Sequence, residues 1–216
     1  MLKFLNYNQK NSLKKLESIL NVRKSRQQNQ SAIVKKILYN VKKNGDKAVI
    51  MYEKKFSNIK NKSKKLQFSK NEINSISKTI DKKLKKSIDT AFNRIKYFHS
   101  KQTYSGFKYR DKYKNELAYK YSPIERVGVY VPGGTASYPS TVLMNCIPAL
   151  VAGVKNIYLT TPAFGTAVNP AVIYAAKKCG VKEIYKTGGA HSIAALAYGT
   201  KTFKKVDKIV GPGNAF

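Results

Sequence analysis

The chain has no tryptophan, three methionines, two cysteines and two histidines among its 216 residues. Two cysteines, Cys146 and Cys179, cannot build a disulfide framework. Both fall in apolar helical patterns, where a buried and inert thiol is expected. The histidines, His99 and His191, have no companions of the kind a metal needs, since zinc takes three or four ligands in a defined geometry. No metal site is therefore expected within these residues. Apolar runs are too short to span a bilayer, and the opening "MLKFLNYNQK" lacks the apolar segment and cleavage site of a signal peptide. We expect no membrane partner and a cytoplasmic location. No Ser/His/Asp or Cys/His set stands at believable spacing, so no catalytic constellation is expected here either.

Acidic residues and arginine are also scarce. Asp and Glu number 11 against 42 Lys and Arg, a formal charge of +31, and only five of the 42 are arginines. The excess is concentrated early: 32 basic against 8 acidic residues up to Ser122, then 10 against 3. Specific nucleic-acid sites favour the bidentate and stacking contacts of arginine, so no specific nucleic-acid partner is expected. Lysine rises here together with Asn, Ile, Tyr and Phe, as codon drift in an AT-rich genome produces. Non-specific polyanion binding at low salt follows from such a field all the same.

What is present falls into three stretches. Residues 1–29 read as an N-terminal helical arm, with one helix in "NSLKKLESILNVRKS" ending at the polar run "RQQNQ". Residues 30–126 read as the first part of an incomplete α/β domain. It has a stripe at Ile33, Val34, Ile37, Leu38 and Val41, a break at Gly45, and a second stripe at Val49, Ile50 and Tyr52. A brief strand "LQFS" follows, then a capping box from Ser69 to Glu72, and a helix over about 82–102 with Leu84, Ile88, Ala91, Ile95 and Phe98 on one face. "GFKYRDKYKNELAYKYSPI" alternates as a hairpin does.

From residue 127 to 216 the pattern is β-α-β-α-β-α-β with short connections. We expect a Rossmann-like parallel sheet with helices on both faces, cut short at its C-terminus. Its strands are "VGVYV", "NIYLTT", "KEIYKT" and "VDKIV", and each runs into a loop built for tight turns: "PGGTASYP", "TPAFGTAVNP", "GGAHS" and "GPGNAF". In an open parallel sheet such loops gather at the carboxyl edge, where these folds bind ligands. Glycine there removes side chains that would block a phosphate or sugar, and each following helix offers free amides to an anion. The polar residues near this edge are Tyr130, Thr135, Ser137, Ser140, Thr160, Thr161, His191, Ser192 and Asn214. His191, at a helix start, can donate or accept a hydrogen bond. The G-x-G-x-x-G fingerprint is missing, so a dinucleotide would be held in another way.

"VGVYVPGG", "GGAHSIAALAYGT" and above all "KVDKIVGPGNAF" resemble the N-terminal half of histidinol dehydrogenase, densely from Val127 onward and more thinly upstream. The resemblance implies a homodimeric, zinc-dependent enzyme that oxidises L-histidinol to L-histidine with two NAD⁺ in sequence, the last step of histidine biosynthesis. It also implies that the NAD-contacting positions fall on Tyr130, His191 and Asn214. Where this chain has His191 the family usually has glutamine, and imidazole can replace one of the amide's hydrogen bonds but not both. The family's zinc ligands, acid–base pair and substrate-binding residues lie beyond residue 216, so the resemblance implies that this chain alone is inactive. A non-catalytic remnant, or a nucleotide-binding half-fold, is the alternative.

Overall fold

The structure, a computed structural model, describes residues 8, 11–56, 65–133, 138–163 and 168–213; the side chains of 19–30 lie outside the description. The chain forms α1 (Ser12–Asn44), α2 (Asp46–Phe56), α3 (Lys70–Lys78) and α4 (Lys82–Ser100). A hairpin of β1 (Phe107–Arg110) and β2 (Glu116–Tyr119) follows. The alternating half comprises β3 (Arg126–Tyr130), α5 (Pro139–Val151), β4 (Asn156–Thr160), α6 (Pro170–Lys178), β5 (Glu183–Tyr185), α7 (Gly189–Tyr198) and β6 (Lys208–Val210).

The four strands of the second half form one sheet in the order β5-β4-β3-β6, and every pairing is parallel. The period of two along each strand sorts its side chains onto two cores. Val127, Val129, Ile157, Leu159 and Ile184 join α5 and α6, with α3 and α4 packed outside them. Tyr158 and Tyr185 face the other way, onto Leu196 of α7 and Val41, Val49 and Tyr52 of α1 and α2. Helices thus cover both faces, as expected. Gly128 in β3 lets α7 lie close: a Cβ there would stand 3.1 Å from Leu196 and Val206.

Local signals account for most boundaries. Ser69 and Glu72 form the full capping box, with the Ser69 side chain accepting from the Glu72 amide and the Glu72 carboxylate from the Ser69 amide. Gly45 and Gly180, at φ +54° and +69°, end α1 and α6, where a left-handed residue favours glycine.

Three local readings are corrected. The N-terminal helix does not stop at "RQQNQ": α1 continues unbroken to Asn44, because Arg and Gln are good helix formers and neither Gly nor Pro interrupts. Leu84 and Phe98 are not on the buried face of α4 but exposed, while Ile88 and Phe92 carry the packing. "LQFS" forms an isolated antiparallel bridge, Gln67 to Tyr185, not a strand. Its amide at Phe68 donates to Ile184 and its carbonyl at Leu66 accepts from Lys186, which covers the outer edge of β5. Among the described residues, no strand lies beside the outer edge of β6, and no helix is long and apolar enough to cross a membrane.

Candidate functional site

Because all four strands run the same way, their exits share one edge. Strands β3, β4 and β5 succeed one another in one direction, and α7 then carries the chain across to β6 on the far side of β3. The carboxyl ends of β3 and β6 therefore flank the topological switch point, where open α/β sheets bind ligands.

The exits are packed closely enough that glycine is required. At Gly211, after β6, a Cβ would stand 2.2 Å from the Tyr130 carbonyl oxygen, and φ is +142°. At Gly188, after β5, a Cβ would stand 2.2 Å from Pro162 Cγ, after β4. The Gly189 amide donates to the Tyr130 hydroxyl at 3.3 Å, tying the start of α7 to the end of β3. Thr160 Oγ1 donates to the Thr187 carbonyl at 2.6 Å, and Ser192 Oγ to the Gly189 carbonyl at 2.8 Å. A cavity of about 570 Å³ lies elsewhere, between the end of α4, the stem of the hairpin and α5; none of Tyr130, Gly188, Gly189, His191 or Gly211 lines it.

The sequence-predicted residues separate. Tyr130 is half-buried at the switch point. Thr135, Ser137 and Asn214 lie outside the described residues, so Gly211 marks the approach of the last loop to Tyr130. Ser140 is exposed on the first turn of α5, and Thr160, Thr161 and Ser192 are buried. His191 is neither a surface residue nor a cap: it is 2% exposed, and Nε2 lies 2.8 Å from Glu53 Oε2 of α2. The ring sits beside Tyr52 and Phe56, at centroid distances of 6.0 and 6.1 Å. Its Nδ1 is buried and finds no hydrogen-bond partner among the described residues. His99 is exposed, with Nδ1 2.7 Å from Gln102, a surface contact.

Sequence reasoning missed Glu53. The available signal was its place on the helix: Val49, Tyr52 and Phe56 repeat at helical spacing, and Glu53 puts a carboxylate on the same face. Lysine and carboxylate also meet between Lys186 and Glu72 at 2.5 Å. That contact, foremost, and the Ser69 cap hold the Glu72 carboxyl down at about 2. It secures α3 to the end of β5.

A parallel sheet of this order, with glycine-cleared strand exits at its switch point, defines a Rossmann-like α/β protein. The chain belongs to the histidinol dehydrogenase family, an oxidoreductase family of histidine biosynthesis, whose model matches residues 20–216. It is 53% identical over its whole length to histidinol dehydrogenase of Pelagibacter ubique (strain HTCC1062), covering 50% of that protein. Over 85% of the chain it is 48% identical to that of Mesorhizobium japonicum, covering 43%. The crystal structure of histidinol dehydrogenase from Elizabethkingia anophelis superposes with a TM-score of 0.79 at 38% identity, over 85% of this chain and 42% of that one. The chain spans about half the length of the curated relatives it matches.

Proposed function

We propose that this chain supplies the nucleotide-seating part of an NAD-dependent histidinol dehydrogenase, a cytoplasmic homodimer that oxidises L-histidinol to L-histidine. The observation that carries the reading is the meeting of Tyr130, the Gly188–Gly189 turn and Gly211 at the switch point. NAD⁺ held here would supply the hydride acceptor, one molecule for oxidation of the alcohol and a second for oxidation of the hydrated aldehyde.

The residues fit such a ligand. Tyr130 accepts from the Gly189 amide and keeps its own proton to give to a ribose or phosphate oxygen. The start of α7 turns backbone amides toward the same edge, which favours an anion. His191 Nδ1, which has no hydrogen-bond partner among the described residues, is a further proposed polar contact, and Asn214 is the third proposed NAD contact. Zinc is a different case. The resemblance puts the family's zinc ligands beyond residue 216, and among the described residues no group of three or more His, Cys, Asp or Glu could hold a metal ion. Taking the hydroxyl proton needs a base in reach of the substrate, and the resemblance puts the family's acid–base pair beyond residue 216.

Two measurements on the 216-residue chain test this. NAD⁺ titration is expected to show binding that Tyr130→Phe weakens roughly threefold to tenfold, the worth of one hydrogen bond. A histidinol-dependent NADH assay with added zinc is expected to stay at background. No NAD⁺ binding refutes the nucleotide role, and turnover by the isolated chain refutes the division of labour.

A further inference from the structure

We propose that Glu53 is a positioning residue for the nucleotide site: its carboxylate holds the proton of His191 on Nε2 and so presents Nδ1 as a hydrogen-bond acceptor. The proposal rests on the dinucleotide reading above and adds a residue 138 positions away in sequence.

The chemistry follows from the contacts. Glu53 Oε2 and His191 Nε2 are 2.8 Å apart, and the two side chains are 10% and 3% exposed. As a carboxylate, Glu53 accepts hydrogen bonds and gives none, which makes Nε2 the donor in this contact. A neutral imidazole carries one N–H, and with it committed to Glu53 the other nitrogen is a bare lone pair. A second proton on Nδ1 would be a buried donor with no receiver among the described residues. The lone pair in turn needs a donor, because a buried polar group without a partner is costly.

Nδ1 faces the turn that opens the ligand edge. A Cβ on Gly189 would stand 3.5 Å from Nδ1 and 3.4 Å from Cε1, which places the imidazole edge directly against this turn. The next bond along, Gly189 amide to Tyr130 hydroxyl, belongs to the proposed seat itself. The ligand group that matches is a neutral donor, a carboxamide NH₂ or a sugar hydroxyl. Tyr52 and Phe56 flank the ring on the α2 side, so α2 fixes both the orientation of the imidazole and the nitrogen it offers.

Imidazole ¹⁵N spectra test this directly, since the chain has two histidines and His99→Gln leaves His191 as the sole signal. The expected wild-type pattern is a single tautomer, Nε2 protonated and Nδ1 bare. Glu53→Met, which keeps volume but removes the acceptor, is expected to lose that pattern and to bind NAD⁺ roughly threefold to tenfold more weakly. Glu53→Gln, whose amide oxygen can still accept, is expected to restore both. A proton on Nδ1 in the wild type overturns the proposal, as does a Glu53→Met protein with unchanged tautomer and affinity. Should the methionine variant fail to fold, the wild-type tautomer alone decides. A wild type with the expected tautomer but no NAD⁺ binding upholds the role of Glu53 and refutes the nucleotide reading instead.

Discussion

Replacing Gly211 by alanine is expected to destabilise the chain by about 2–4 kcal/mol, while the same change two residues later costs next to nothing. Gly211 stands at φ +142°, where L side chains rarely go, and forcing one into such backbone costs about 1–3 kcal/mol. The new Cβ would also lie 2.2 Å from the Tyr130 carbonyl oxygen, which is main chain inside a sheet and cannot swing aside. Relief requires the exit of β6 to draw away from β3, and β6 pairs over three residues. Losing one rung of that ladder adds about 0.5–1.5 kcal/mol. Gly213 has nothing within 4 Å of its would-be Cβ and no unusual φ, so Gly213→Ala should stay within about 0.5 kcal/mol. Urea unfolding of the two variants and the wild type, followed by circular dichroism, measures both. Equal costs at the two positions would refute the claim that β3 and β6 meet backbone to backbone at the ligand edge. NAD⁺ titration of the same proteins should show the loss at 211 and none at 213.

The Glu72–Lys186 contact gives a pH dependence. The Glu72 carboxyl drops from its usual 4.5 to about 2 on folding, so its contribution is complete above about pH 4.5 and fades as pH falls toward 2. Glu72 is 41% exposed, and solvent screening limits the effect to on the order of 1 kcal/mol. Lys186→Met should remove it, giving a shallower loss of stability between pH 5 and 2 in acid titrations of the unfolding midpoint. An identical acid limb would count against the ion pair. The cysteines give another expectation. Hydrogen bonding of the Cys146 thiol to Cys179, and then burial, push the Cys146 thiol well up, and the two residues are 0% and 1% exposed. A thiol-specific reagent should label neither in the native chain and both across the urea transition; native-state labelling would overturn their assignment to the core.

Much of the alternating half was legible because its signals are local. Short β-branched runs stop on glycine, helices open on Pro139, Pro170 and Gly189, and the parallel arrangement follows from the alternation itself. The place of Tyr130 at the carboxyl edge was legible for the same reason, since it ends a strand. What was not legible depends on contacts between distant segments. Nothing near His191 announces that a carboxylate 138 residues earlier will bury it. Nothing near Asp46 shows that it accepts from the hydroxyls of Thr200 and Thr202, fastening the α1–α2 corner to the loop before β6. The polar run inside α1 misled for a subtler reason: helix propagation needs no apolar stripe once neighbouring turns are nucleated.

The two flanks of the sheet are unequal, and that limits how it can grow. On the β5 side the stretch around Gln67 already occupies the main-chain donors and acceptors, so that rim is sealed. On the β6 side the rungs point outward with no described neighbour. An incoming strand, whether from a longer polypeptide or from a second molecule, has one berth, beside the ribbon that closes the switch point. Assembly and mispairing would thus compete for the same row of amides.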